Sequence, residues 1–360
     1  MKKIGFILGN CQGNGGIARV VSIISNELCK ENDVVIISFC PSITSAGYQY
    51  NNKIKMFQLY EYRFSMTTAL LYKNAIGKIR EILKTCNLDI LIACGELYFP
   101  LGILSTKGVK TKCFCWEHSD PAGTNDHKFQ MISRKYAVRK ADKIIVLTKV
   151  ARRFYIEKLN TKENKIVQIY NPIESSVAQS KSYNLTSKKI ISVGRLTYQK
   201  NFKLLVDIAI KILPDYPDWS WDIYGEGEDK EELEKRIVDA GFKGKINLLG
   251  QVKDLYNLYQ EYAFQVMTSR YEGFPMSLIE GEANRLPLIS FDIPTGPSEI
   301  IYDGKNGYLI DNNDIETMVI RIKHLIDDEE ERKIMSNNSL KYSREFILEP
   351  IIEQWKKLIK

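Results

Sequence analysis

Long apolar runs are missing from this chain. No segment approaches the roughly 18 consecutive apolar residues of a membrane-spanning helix. The apolar stretch after the basic start, residues 4–8, is shorter than the roughly 7 to 15 residues of a signal-peptide core. The protein is therefore expected to stay in the cytoplasm. Cysteine is sparse and unpatterned: Cys11, Cys29, Cys40, Cys86, Cys94, Cys113 and Cys115 make an odd number with no pair of CxxC units. That argues against a disulfide framework and a thiolate metal site, and for reduced, buried small hydrophobes. Histidine is scarcer still, with His118, His127 and His324 the only three. Chemistry that needs several histidines in one cleft has little to work with. A DxD-type metal motif on a strand end is also absent, so no metal and no other cofactor is expected.

What is present suffices for two ordinary domains: 360 residues, of which 44% are hydrophobic and 11% aromatic. The net charge of +7 hides an asymmetry. Residues 1–170 hold 26 Lys and Arg against 13 Asp and Glu, whereas the remainder holds 25 against 31. A basic half can meet nucleic acid, anionic lipid or a phosphate-bearing substrate. Nucleic acid is the weakest of these, because no recognisable binding motif accompanies the charge.

Along the chain, short apolar runs suited to buried parallel strands alternate with amphipathic segments. Strands are expected at 3–8, 33–39, 89–94, 111–116 and 143–147, with helices at about 17–30 and 64–83. This is the opening of a Rossmann-like unit, whose ligands lie beyond the carboxyl ends of the strands. The loops 95–98 and 117–120 should open there. Gly13-x-Gly15-x-x-Ala18 mimics a dinucleotide fingerprint, but the second strand ends in Ser38-Phe39-Cys40-Pro41 with no acid for a ribose, which argues against NAD. The 64–83 segment sets Leu70, Ile76, Ile79 and Leu83 among Lys73, Lys78, Arg80 and Lys84, near Tyr60, Tyr62 and Phe64. Such a helix packs on a sheet with a solvated basic face, or lies on an anionic membrane surface. The domains read as 1–170, a Ser-rich linker at 171–187, a second Rossmann-like unit at 188–343, and a last helix at 344–360. In the second unit strands are expected from Lys189, then at 219–224, 246–249, 264–267 and 287–291.

The chemistry concentrates in residues 269–297, SRYEGFPMSLIEGEANRLPLISFDIPTGP. Glu272 and Glu280 are separated by seven residues, with Gly273-Phe274-Pro275 between them. Proline at a first helical position is a natural helix start. Glu280 then lies about 7.5 Å further along the axis. The first-turn amides between the two carboxylates make an anion seat. A carboxylate, a phosphate seat and a second carboxylate match a sugar, a diphosphate and a ribose in series.

This E-x7-E spacing around Gly-Phe-Pro resembles the retaining glycosyltransferases of family 4, whose fold is GT-B: α/β, with two Rossmann-like domains facing a central cleft. Residues 193–201, VGRLTYQKN, resemble the family's phosphate clamp, and Gly15-Gly16 its glycine segment against the donor diphosphate. The resemblance implies that Glu272 holds the donor sugar, Glu280 the ribose, and Arg195 and Lys200 the leaving diphosphate. Gly273, Phe274, Ser277 and Leu278 belong to the same donor site, Gly225 and Val252 flank the base, and His118 contacts the donor sugar. His324, in a helical pattern, reads as structural. Two cations and a helix terminus can replace a metal for diphosphate departure. The implied reaction retains anomeric configuration through an oxocarbenium-like transition state, moving a hexose or N-acetylhexosamine from a nucleotide sugar, UDP favoured over GDP, to a lipid-linked or saccharide acceptor. The first domain would bind the acceptor, with the last helix crossing back to it. Its positive field, through the 63–84 helix and the basic residues from Arg134 to Arg153, would hold the enzyme peripherally on the inner face of an anionic membrane, in bacterial surface polysaccharide or glycan assembly. A sugar-nucleotide 2-epimerase of the same architecture and a catalytically silent partner subunit are the alternatives.

Overall fold

The computed structural model describes the chain apart from residues 14, 41–46, 62–68, 122, 124–127, 175–181 and 253–254, and the side chains of 69–71. His127, Tyr62, Phe64 and the Leu70 side chain lie outside the described residues, as do the start of the expected 64–83 helix and part of the linker. The chain divides into two compact units, Met1–Pro172 with Leu348–Lys360, and Ile173–Ile347. The division falls near the start of the expected 171–187 linker.

In the first unit β1 (Lys3–Leu8), α1 (Gly16–Leu28), β2 (Asp33–Ser38), β3 (Lys55–Gln58), α2 (Ala69–Cys86), β4 (Ile90–Cys94), α3 (Phe99–Thr106), β5 (Lys112–Trp116), α4 (Lys128–Lys140), β6 (Lys143–Val146), α5 (Lys149–Glu157) and β7 (Ile166–Gln168) follow in turn. The second contains β8 (Lys189–Val193), α6 (Phe202–Ile212), β9 (Ser220–Tyr224), α7 (Lys230–Asp239), β10 (Ile246–Gly250), α8 (Leu255–Leu258), β11 (Phe264–Met267), α9 (Met276–Ala283), β12 (Leu288–Asp292), β13 (Gly307–Asp311), α10 (Ile315–Asp327) and α11 (Glu329–Tyr342). The last helix, α12 (Leu348–Ile359), returns to the first unit.

Both sheets are parallel, with central strands buried on both faces and covered by helices on both sides. The first runs β3-β2-β1-β4-β5-β6-β7 and the second β10-β9-β8-β11-β12-β13. Strand order therefore reverses between β1 and β4, and again between β8 and β11. In open sheets of this kind such switch points are where ligands bind, at the carboxyl ends. The loops after β8 and β11 are residues 194–201 and 268–275, which carry the two motifs.

Three strands, β3, β7 and β13, were not expected, and β3 is largely exposed. The final helix begins at Leu348 rather than at 344, because Ser343–Phe346 form a 3₁₀ turn and Ile347 is extended, with ψ at 152°. Phe346 instead sits in the second unit, 5.4 Å from the Phe274 ring. On α12, Ile351, Ile352, Trp355 and Ile359 form one buried stripe, with Trp355 edge-on to Trp116 at 4.6 Å.

Arg134 is a correction to the basic surface drawn from composition. It is fully buried on α4, its Nε donating to Glu117 Oε2 at 2.6 Å, while the Tyr155 hydroxyl donates to the same oxygen at 2.8 Å. A buried carboxylate needs this pairing, and the guanidinium is held inside the fold by it. Arg80 is half-buried and donates to the carbonyls of Leu104 and Lys107 at the C-terminal end of α3.

Candidate active site

The two motif loops of the second unit meet directly. Lys200 Nζ lies 2.5 Å from Glu272 Oε1, in a pair whose side chains are only 15% and 7% exposed. The chain reaches this arrangement through backbone ties between the loops. Arg270 N–H donates to the Gln199 carbonyl at 2.8 Å, Thr268 Oγ1 donates to the carbonyl of Asn201 at 3.2 Å, and the Thr295 hydroxyl donates to the Glu272 carbonyl. Asn201 takes a left-handed conformation (φ 55°) as the N-cap of α6, and its Oδ1 accepts from Arg270 Nη2 at 2.6 Å. Asparagine tolerates that region better than most residues.

Gln199 lies between the remaining charges. Its Nε2 donates to the Tyr271 carbonyl at 3.0 Å and faces Glu272 Oε2 at 3.5 Å, while its Oε1 accepts from Arg195 Nη2 at 3.4 Å. Arg195 itself is exposed. Behind this loop Gly225 has φ 146°, and a Cβ there would fall 1.8 Å from the Gly194 carbonyl oxygen. The backbone leading into Arg195 thus requires glycine on the neighbouring loop.

The helix after Glu272 begins one residue later than expected: Pro275 is the extended N-cap of α9 (φ −75°, ψ 101°), not its first helical residue. Proline's locked φ suits either position, and the missing N–H is not needed at either. Leu278 N–H donates to the Pro275 carbonyl at 3.0 Å. Ser277 Oγ, in the first turn, is buried with no partner among the described residues. Glu280, buried on α9, accepts from the Tyr259 hydroxyl at 3.1 Å. In the loop after β10, Val252 packs, half-buried, against a cluster containing Tyr224 and Tyr259.

The family model described as "Glycosyl transferases group 1" matches residues 176–342, and that described as "Glycosyltransferase Family 4" matches residues 14–177. An "Uncharacterized glycosyltransferase" of Haemophilus influenzae is 30% identical over 360 residues, covering 100% of both chains. This chain belongs to the glycosyltransferases. Also similar, at 26% identity over 367 residues and covering 100% of this chain and 98% of the relative, is a Campylobacter jejuni enzyme. It is named GalNAc-alpha-(1->4)-GalNAc-alpha-(1->3)-diNAcBac-PP-undecaprenol alpha-1,4-N-acetyl-D-galactosaminyltransferase. Among solved structures, a substitution variant of S. aureus TarM in complex with Fondaparinux, alpha-GlcNAc-glycerol and UDP superposes with a TM-score of 0.84 at 18% identity, covering 100% of both chains. The glycosyltransferase has the GT-B fold, as its structural neighbours do.

Gly273 and buried Phe274 lead from Glu272 to Pro275 in the second unit, and the remaining expected site residues of this glycosyltransferase lie in its first unit. Gly15 is the N-cap of α1 and Gly16 its first residue; neither has positive φ, and among the described residues nothing lies within 4 Å of a Cβ added to either. Neither turn geometry nor packing requires glycine at these two positions. His118 follows β5, its ring 4.4 Å from that of Trp116. Although the residue is only half-buried overall, its Nε2 is shut off from solvent without a partner among the described residues, and burial pushes its pKa down to about 3. At neutral pH it is an uncharged imidazole, able to exchange hydrogen bonds but not to serve as a cation. The next residue is held from both sides: Ser119 N–H donates to Glu117 Oε1 at 3.1 Å and Ser119 Oγ to Glu96 Oε2 at 2.9 Å. His324 stands 2.5 Å from Glu331 Oε2, where α10 turns into α11.

Sequence reasoning assigned no role to Gln199, Arg270 or Tyr259. Gln199 lay within the quoted clamp motif, but a half-buried amide has no chemical signature of its own; only its partners reveal what it does.

Proposed function

We propose that this glycosyltransferase transfers a hexose or N-acetylhexosamine from a UDP-sugar, with retention and without a metal, to a lipid-linked or saccharide acceptor in bacterial surface polysaccharide or glycan assembly. The observation that carries the proposal is the Lys200–Glu272 contact at the β8/β11 switch point, with Arg195 joined to it through Gln199. As the glycosyl bond breaks, two phosphates take up new negative charge. Lys200 and Arg195 supply positive charge from the loop after β8, and the first turn of α9 supplies amides and the Ser277 hydroxyl, which has no partner among the described residues. Glu272, freed of Lys200 as the diphosphate arrives, is left to face the sugar. Glu280, oriented by Tyr259, is assigned to the ribose, and the backbone near Gly225 and Val252 to the base. His118, as a neutral ring, offers hydrogen bonds to a sugar.

UDP is favoured because the similar TarM structure contains it, and a polyprenyl-diphosphate-linked acceptor because the Campylobacter relative is named for one. Among the described residues no helix is long and apolar enough to cross a membrane. Peripheral attachment on the inner face is assigned to α4 and the start of α5. Lys128, Lys135, Arg139, Lys140 and Arg153 are exposed there, beside Phe129 and Ile132 at 48% and 63% exposure. The helix α4 carries no acidic residue. The test is a donor screen with purified protein: release of UDP or GDP from a panel of sugar nucleotides, with and without polyprenyl-diphosphate-linked acceptor, and the product's anomeric configuration read by NMR. UDP release that rises with the lipid-linked acceptor is expected. A panel on which neither diphosphate is released refutes the proposal.

A further inference from the structure

The geometry points to Gln199 as a positioning residue that couples the diphosphate clamp to the sugar-facing carboxylate. This assignment rests on the transferase chemistry proposed above and adds to it a residue that touches neither substrate. The Gln199 amide spans two groups of opposite demand: the Tyr271 carbonyl and Glu272 Oε2 at one end need a donor, and the Arg195 guanidinium at the other needs an acceptor. Turned the other way, the amide would set its oxygen against two acceptors and its NH₂ against a cation, so one orientation is fixed by its surroundings. Among side chains of this length, only an amide satisfies both ends without adding charge.

The consequence lies in how Glu272 is held. In the structure its Oε1 is on Lys200 and its Oε2 faces Gln199. A nucleotide diphosphate competes with Glu272 for Lys200, and a carboxylate that loses its cation in a site this enclosed would turn toward other donors. Gln199 remains on its second oxygen and keeps it aimed at the sugar, while the other end of the same amide keeps Arg195 turned toward the phosphates. The 3.4 and 3.5 Å contacts are long, as catalytic hydrogen bonds often are before substrate is bound. A misplacement of about 1 Å in such a site costs on the order of 10²-fold in rate.

The test uses Gln199→Ala and Gln199→Glu in the full chain, each alone and with Arg195→Ala. UDP-sugar turnover is measured well below the melting temperature, UDP affinity by calorimetry, and Tm in parallel. Gln199→Ala is expected to lower kcat by about 10- to 100-fold with less than about a threefold change in UDP affinity. Gln199→Glu should fall at least as far, because its carboxylate opposes Glu272 although it still accepts from Arg195. In the Arg195→Ala background the Gln199→Ala loss should shrink, since part of its action runs through Arg195. A merely structural tie would lower Tm and kcat together and multiply independently with Arg195→Ala. Wild-type kcat in both variants, or fully multiplicative losses, overturns the coupling while leaving the transferase proposal standing. A wild-type protein that binds neither UDP nor GDP refutes both.

Discussion

Replacing Lys200 with alanine disturbs stability and turnover through one ion pair, and the two effects are separable. Breaking a wholly buried pair by removing one partner costs about 3–5 kcal/mol, because the remaining charge is left uncompensated. Here the lysine side chain is 15% exposed and the glutamate 7%. Water reaches the orphaned carboxylate, and Gln199 still faces it, so the expected loss is roughly 1–3 kcal/mol. For a unit of this size that lowers the melting temperature by about 2–12 °C. Turnover is expected to fall by about 10²- to 10³-fold, the loss typical of removing one preorganised group aimed at developing charge. The Lys200→Ala/Glu272→Gln double variant removes the orphaned charge. It should recover most of the lost stability and none of the activity. Calorimetric melting and UDP release on the wild type, Lys200→Ala, Glu272→Gln and the double variant decide the matter. A Lys200→Ala protein with wild-type turnover, or a double variant no more stable than Lys200→Ala alone, would refute the reasoning.

Glu282 gives a prediction in pH. Burial raises its pKa well above the ordinary carboxylate value, and Asn306 Nδ2 donates to its Oε1 at 2.8 Å. Between the ordinary and the raised value the unfolded chain ionises while the folded one keeps its proton, so stability falls as pH rises through that window. Denaturant unfolding at pH 5 and pH 8 should show a steeper decline for the wild type than for Glu282→Gln; parallel declines would contradict it. Sedimentation with anionic vesicles should occur at low salt and fail at about 0.5 M, where the Debye length is well under 10 Å. Lys135→Glu with Arg139→Glu should weaken it, and equal binding to neutral vesicles would rule out the electrostatic account. UDP release is expected to survive EDTA, and a loss reversed by magnesium or manganese would show that a metal takes part.

The candidate site was legible where the sequence sets its residue types at fixed spacing. Glu272 and Glu280 bracket a helix start, and Arg195 and Lys200 follow a buried strand; both patterns survive in a single sequence. Gln199, Arg270 and Tyr259 were not legible, because their roles depend on loops and helices brought together by the strand order. The buried position of Arg134 escaped for a related reason: arginine is exposed by default, and here the carboxylate of Glu117, in the loop after β5, draws it inside. The edge strands β3 and β7 were missed because four and three residues give too little pattern to distinguish a strand from a loop.

The return of α12 to the first unit imposes an order on synthesis. Trp355, wholly buried against Trp116 and Phe6, comes from α12, beyond the second unit in the chain, so a nascent polypeptide that has finished all seven strands of the first sheet still lacks part of that unit's core. The second unit, uninterrupted from Ile173 to Ile347, has every residue it needs before α12 leaves the ribosome. The unit translated first is therefore completed after the second, and until α12 emerges the place of Trp355 beside Trp116 and Phe6 stays unfilled. A stop codon a few residues before Leu348 would leave that place unfilled permanently.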